Sequence, residues 1–92
     1  MMTERDFLER AHLDRTTLEV WIRESWIVPE GVAPERAYSD MDIARANLIH
    51  DLKHNMGVND EGLDVILHLI DQMHGLRRAL AEALEGLRSK GG

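Results

Sequence analysis

The feature that most constrains the fold is a seven-residue apolar repeat in the last third of the chain. Its members are Ile66, Leu69, Met73, Leu76, Leu80, Ala83 and Leu87, and Ile70 and Leu84 widen the stripe. An alternation of three- and four-residue steps is typical of a coiled-coil seam. The helix that carries it, residues 59–88, would span about 45 Å, which is more than one small domain can cover. We therefore predict that this helix pairs antiparallel with the same helix of a second chain. The alternative is a helix that folds back along its own domain.

The composition is that of a small globular protein. The chain has 92 residues, of which 43 % are hydrophobic, and this is enough for one modest core. The lack of cysteine excludes disulfide frameworks and thiolate metal sites and fits a reducing compartment. The N-terminal stretch MMTERDFLERAH lacks the apolar segment of a signal peptide, and the apolar runs are too short to cross a membrane. We therefore predict a cytoplasmic location.

The charge balance argues against a nucleic-acid ligand. Eleven Lys and Arg residues face 17 Asp and Glu residues, which gives a net charge of −6. A DNA duplex presents about one negative charge per 1.7 Å of its axis, so proteins that grip it normally show a cationic face. A basic partner therefore suits this chain better than DNA does.

Capping signals divide the chain into four helices. The candidate N-caps are Thr3, Asp14, Ser39 and Asn59. The second helix is predicted to carry an apolar face that reaches Trp26, and Pro29 is expected to end this unit. Residues 30–36, EGVAPER, predict a turn or a small wing, and Gly57 is the natural stop of the third helix.

The order helix, turn, helix, wing, helix and coiled coil resembles that of MerR-type winged-helix proteins. The most specific segment is RAYSDMDIA, residues 36–44, and the second helix carries the matching Thr17, Leu18 and Glu24. The resemblance implies an all-α, MerR-like winged helix-turn-helix with a long C-terminal dimerising coiled-coil helix. We place the winged helix-turn-helix domain at residues 1–58 and the coiled-coil helix with a short tail at residues 59–92.

Two further segments resemble the chaperone-modulator branch of that superfamily, the CbpM family. They are WIVPE at residues 26–30 and LIHDLKHNMGVNDEGLDVILHLIDQ at residues 48–72, and an LRRAL-type coiled coil follows them. The resemblance implies a small homodimer that binds the J-domain of a DnaJ-like co-chaperone and restrains its action with the DnaK-type chaperone. The alternative is a MerR-family transcription regulator that binds DNA.

One departure from the MerR pattern bears on that choice. Glu19 stands where DNA-binding members carry an arginine that holds a phosphate. A carboxylate close to a phosphate is repelled, and the counterion release that an arginine would give is lost. The cations left for the DNA-binding alternative are Arg15, Arg23 and Arg36, and glutamates lie among them. We therefore predict DNA binding that is weak and non-specific.

Acidic residues are the candidate partner-binding site. The J-domains with which we compare the expected partner have a basic second helix, and an anionic face would speed encounter and bias specificity more than it would raise affinity. The predicted contacts are Asp51, Asp60, Glu61, Asp64 and Asp71. The alternative is that these acids form a solvated face and a favourable helix start.

The sequence predicts no catalytic, cofactor or metal site. His50 and His54 lie four residues apart in HDLKH, but this string lacks the glutamate of the zinc motif HExxH. If a histidine carries function, the pH sensitivity of an interface is the more plausible role. Trp21 and Trp26 could anchor a partner, but their positions favour core packing. We therefore predict a binding protein and not an enzyme.

Overall fold

The computed structural model describes residues 1–91, with side chains through residue 89, so the end of the predicted C-terminal tail lies outside the described residues. The elements are β1 (Met2–Thr3), α1 (Glu4–Ala11), α2 (Arg15–Arg23), β2 (Ala37–Tyr38), α3 (Asp40–His50) and α4 (Asp60–Gly91). A π-helical turn, Asp51–Asn55, continues α3. The predicted all-α class with four helices and a long C-terminal helix is confirmed.

The predicted N-caps explain where the helices begin. Thr3, Asp14, Ser39 and Asn59 each accept a hydrogen bond from a backbone amide of the following turn. Ser39 also forms a reciprocal capping box with Asp42, whose carboxylate accepts the backbone amide of Ser39 at 2.9 Å. These bonds satisfy amides that have no partner within the helix, so each helix start is fixed by local sequence.

The end of α2 differs from the prediction. The helix stops at Arg23, and Ser25 has a φ of 62°, in the left-handed region. A residue in that region cannot continue a right-handed helix, so the chain turns well before Pro29 and Trp26 lies outside the helix. The prediction that the helical face includes Trp26 was therefore wrong. Trp21 and Trp26 are nevertheless both core residues, each with 2 % of its surface exposed.

The predicted wing is present and is tied to the N-terminus. β1 and β2 form an antiparallel pair in which Met2 faces Tyr38 and Thr3 faces Ala37. Ala37 also forms a bridge with Glu30, which closes the loop between them. The sequence analysis did not anticipate the strand at residues 2–3. This strand brings the start of α1 next to the wing.

One core joins residues 1–58, which we call the winged unit, to the start of α4. Its buried residues are Phe7, Ala11, Leu18, Trp21, Trp26, Ile27, Tyr38, Ala46, Ile49, Leu52, Leu63 and Leu67. Leu63 and Leu67 belong to α4, so the predicted domain boundary at residue 59 separates segments that pack together. Beyond these turns α4 extends away from the core, and the molecule measures 52 × 31 × 19 Å. None of the described helices is long and apolar enough to cross a membrane.

Candidate functional site

The projecting part of α4 carries a row of exposed apolar side chains, which we call the seam. The seam consists of Leu69, Met73, Leu76, Leu80, Ala83, Leu84 and Leu87. Leu76 is 71 % exposed and Leu87 is 68 % exposed. Ile66 was predicted to belong to the same surface, but it is partly buried against the core of its own chain. Leaving a contiguous apolar row in water is unfavourable, so the seam is a candidate interaction surface.

The predicted acidic residue Asp64 makes a contact within the chain. The indole nitrogen Nε1 of Trp26 donates a hydrogen bond to Oδ1 of Asp64 at 2.7 Å. Trp26 is almost fully buried, and a buried N–H group without a partner is costly. This carboxylate therefore stabilises the packing of α4 on the winged unit.

Two other predicted acids form ion pairs with residues that precede α4. The guanidinium of Arg45 donates to both carboxylate oxygens of Asp71, at 2.7 and 3.1 Å. The Nε atom of the same arginine donates to the backbone carbonyl of Trp26. The ammonium of Lys53 lies 3.2 Å from Oδ1 of Asp60. Of these two ion pairs, the one between Arg45 and Asp71 is the stronger. The planar guanidinium makes two parallel hydrogen bonds to the carboxylate and a third to the backbone.

The remaining predicted acids lie at the junction between α3 and α4. Asp51 begins the π-helical turn and accepts a hydrogen bond from Nδ2 of Asn55 at 2.9 Å. Glu61 is exposed in the first turn of α4. Three of the five predicted residues, Asp60, Asp64 and Asp71, form contacts with Lys53, Trp26 and Arg45 that sequence analysis missed. A carboxylate has several acceptor positions, so an internal bond leaves room for a second donor.

The wing cation Arg36 is neutralised by glutamates. Its Nη1 atom lies 2.6 Å from Oε1 of Glu19 and 3.5 Å from Oε1 of Glu4. The hydrogen bond to Glu19 is the main cause of a raised pKa for the guanidinium of Arg36. Glu19 is the residue that departs from the DNA-binding pattern, and in the structure its carboxylate pairs with the wing cation.

Tyr38 connects this ion-pair network to the core. Its hydroxyl donates to Oε1 of Glu4 at 2.7 Å, and its ring stacks on Phe7 with centroids 4.3 Å apart. Burial is the main cause of a raised pKa for the phenol, and the hydrogen bond to Glu4 adds to it. The hydroxyl therefore stays protonated and keeps its role as donor.

The other two cations of the DNA-binding alternative lie on α2. Arg15 is exposed, and its Nη2 atom lies 3.8 Å from Oε2 of Glu4, a weak surface ion pair. Arg23 is exposed in the last turn. Arg15 and Arg36 thus both lie near the carboxylate of Glu4.

His50, at the end of α3, packs between a core tryptophan and the second histidine, His54. The rings of His50 and His54 stack with centroids 5.6 Å apart, and His50 meets the edge of Trp21 at 5.3 Å. The Nε2 atom of His50 is buried and lacks a hydrogen-bond partner in the part of the chain described. Within residues 1–91, no three His, Cys, Asp or Glu side chains come together as a metal site. His50 therefore contributes to the packing of this region through its aromatic ring.

Comparison with known proteins identifies the family. A family model described as MerR HTH family regulatory protein matches residues 2–84. The match covers the strand pair, the first three helices and most of α4. No curated protein and no solved structure matches the chain.

Proposed function

Since the chain belongs to the MerR HTH family of regulatory proteins, we propose that it regulates by binding a protein and not by reading DNA. The partner proposed is the J-domain of a DnaJ-like co-chaperone, which the resemblance to the CbpM family implies. Binding restrains the action of that co-chaperone with its DnaK-type chaperone. The protein acts as a homodimer paired through the seam of α4.

The ion pair between Arg36 and Glu19 is the observation that carries the proposal. It argues against DNA as the ligand and so favours a protein partner. A phosphate contact by Arg36 would break a 2.6 Å ion pair and leave the carboxylate of Glu19 beside the DNA backbone. Both effects weaken binding to DNA. Each phosphate contact normally contributes about 0.9 to the slope of log affinity against log salt, and a paired Arg36 does not supply that contribution. The net charge of −6 instead favours a basic protein surface.

The exposed seam supports the dimer. Leu80 is 61 % exposed and Leu84 is 50 % exposed, in a part of α4 that extends beyond the core of its own chain. A second α4 laid antiparallel would cover these side chains and make knobs-into-holes contacts along the heptad repeat. Pairing would also give the complex two copies of each partner-binding surface.

Calorimetry with the isolated J-domain of a DnaJ-like protein tests the partner. We expect saturable binding by the wild-type dimer and loss of J-domain-stimulated ATPase activity of the DnaK-type chaperone as the dimer is added. An unrelated basic protein of similar charge serves as the control for non-specific attraction. Absence of binding at concentrations on the order of tens of micromolar would refute the proposed partner.

Fluorescence anisotropy with a DNA duplex tests the other half of the proposal. We expect weak, non-specific binding by the wild type at physiological salt. Glu19→Gln should strengthen this binding, because Arg36 loses the shorter of its ion pairs and can contact a phosphate. The slope of log affinity against log salt should steepen by up to about 0.9. Glu24→Gln is the matched control, since it removes the same charge from an exposed glutamate at the end of α2. A nanomolar, sequence-selective complex of the wild type would instead establish a transcription regulator.

A further inference from the structure

A groove opens between α3 and the middle of α4. Its large apolar lining residues are Val28, Met41, Leu48 and Ile70, and its charged ones are Asp42, Arg45, Asp71 and Arg78. Met41 is 69 % exposed and Val28 is 70 % exposed, so two large apolar side chains stand in water at its edge. Exposed apolar side chains gathered in a concave site favour occupation by another apolar surface.

The two walls of the groove follow from helix periodicity. Met41 and Leu48 are seven residues apart on α3, and Ile70, His74 and Arg78 follow one another at four-residue spacing on α4. Each set therefore forms a row along one side of its helix. Gly75 lies between them on α4, where an added Cβ would meet nothing within 4 Å.

The groove and the seam lie on different sides of α4. Successive residues of an α-helix advance by about 100°, so Met73 and Leu80 lie within about 40° of the direction of Leu69. By the same measure, His74 and Arg78 lie about 140° and 180° from that direction. A second α4 paired along the seam would therefore lie on a different side of the helix from the groove.

One end of the groove is acidic. A neighbouring depression beside Trp26 is lined by Glu24, Asp64 and Asp71 and shares Arg45 with the groove. Arg45 is held by Asp71 in a bidentate ion pair, so Glu24 and Asp64 leave this end negatively charged. The continuous surface along α4 from residue 65 to residue 78 is about 20 Å long, the length of a helix of about 13 residues.

We propose that this groove binds one amphipathic, basic helix of the partner. The apolar side chains of that helix pack between Met41, Val28 and Ile70, and its basic side chains face Glu24 and Asp64. A helix with an apolar face is the usual occupant of such a groove, and the acidic end gives its orientation. The inference rests on the proposed function, because it takes the J-domain as the protein that supplies the helix.

Biosensor kinetics with the isolated J-domain test the apolar part of the site. Met41→Arg places a charge in the groove and should weaken binding by at least about tenfold. Met56→Arg is the matched control, since Met56 is 70 % exposed and lies outside the groove, and it should change affinity by less than about twofold. Both side chains are exposed, so neither change should disturb the fold, which circular dichroism checks.

A second pair of variants tests the acidic end. Glu24→Arg should slow association several-fold, whereas Glu35→Arg, the same charge reversal in the wing loop, should have a smaller effect. If the two variants of each pair had equal effects, the groove would not be the binding site, although the J-domain would still be the partner. If Met41→Arg weakens dimerisation in sedimentation and leaves J-domain affinity unchanged, a second copy of the chain occupies the groove and the proposal is wrong. Failure of the wild type to bind the J-domain would overturn the proposed function and this occupant together.

Discussion

Replacing Asp64 with alanine should lower the free energy of unfolding by about 1–2 kcal/mol. The carboxylate accepts the indole N–H of Trp26 at 2.7 Å, and hydrogen bonds to charged groups contribute about 1.5–3 kcal/mol. Leaving a buried donor unpaired costs about 1–3 kcal/mol. We place the expected value toward the lower end, because the depression beside Trp26 is open and water can reach the N–H group once the carboxylate is gone.

Three further variants separate the hydrogen bond from the other effects of the substitution. Asp64→Asn keeps an acceptor oxygen and loses the charge, so it should cost less than about 1 kcal/mol. Trp26→Phe removes the donor, and the double variant with Asp64→Ala should show a coupling free energy of about 1 kcal/mol. Glu61→Ala, an exposed acid in the same part of α4, is the control and should stay within about 0.5 kcal/mol of wild type.

Urea unfolding followed by far-ultraviolet circular dichroism measures these differences. All variants must be compared at one protein concentration, because the stability of a dimer depends on concentration. The reasoning is refuted if Asp64→Ala unfolds at the wild-type midpoint with the same slope. It is also refuted if the double variant equals the sum of the single ones, since additive effects would mean that the two side chains do not interact.

Three further predictions follow from the seam, the buried tyrosine and the acidic residues. Leu76→Asp with Leu80→Asp should give a monomer or an unfolded chain in sedimentation equilibrium, since two charges would stand in the predicted dimer seam. The pKa of Tyr38 is raised above its ordinary value of 10.0, so the stability that the neutral phenol contributes is fully present below pH 10 and is lost as the pH rises above it. Ultraviolet titration reports this residue alone, because the chain has one tyrosine. Reversal of Asp60 and Glu61 to lysine should slow association with the J-domain and flatten its salt dependence while the fold survives.

Each of these predictions has a control and an opposing outcome. Met56→Asp adds one charge at an exposed residue outside the seam and should leave the sedimentation behaviour unchanged. A wild-type chain that sediments as a monomer would end the argument for the coiled coil. Titration of the phenol at its ordinary pKa in the folded chain would contradict the buried hydrogen bond. For the acids, the control reverses Glu9 and Glu35, and an equal effect on association would show that net charge alone is responsible.

The sequence by itself determined the local features of this protein. Thr3, Asp14, Ser39 and Asn59 were identified as helix starts because a cap bonds to an amide within its own first turn. RAYSDMDIA predicted the MerR family, and the match to residues 2–84 confirms it, whereas the CbpM branch stays a prediction. The apolar repeat of α4 predicted an exposed row for the same reason, since helix periodicity is a local property, but Ile66 packs against the core of its own chain. Pairing along that row and the J-domain partner stay predictions.

The tertiary structure decided which charged residues remain available to a partner. Trp26 and Asp64 are 38 residues apart in sequence, Arg45 and Asp71 are 26 apart, and Arg36 and Glu19 are 17 apart. Sequence spacing carries no information about such contacts, because they depend on how the helices pack and where the chain turns. The left-handed residue Ser25 is one such turn, and it moved Trp26 out of α2 and against α4. Residues that the sequence marked as surface acids are therefore partly used to hold the fold together.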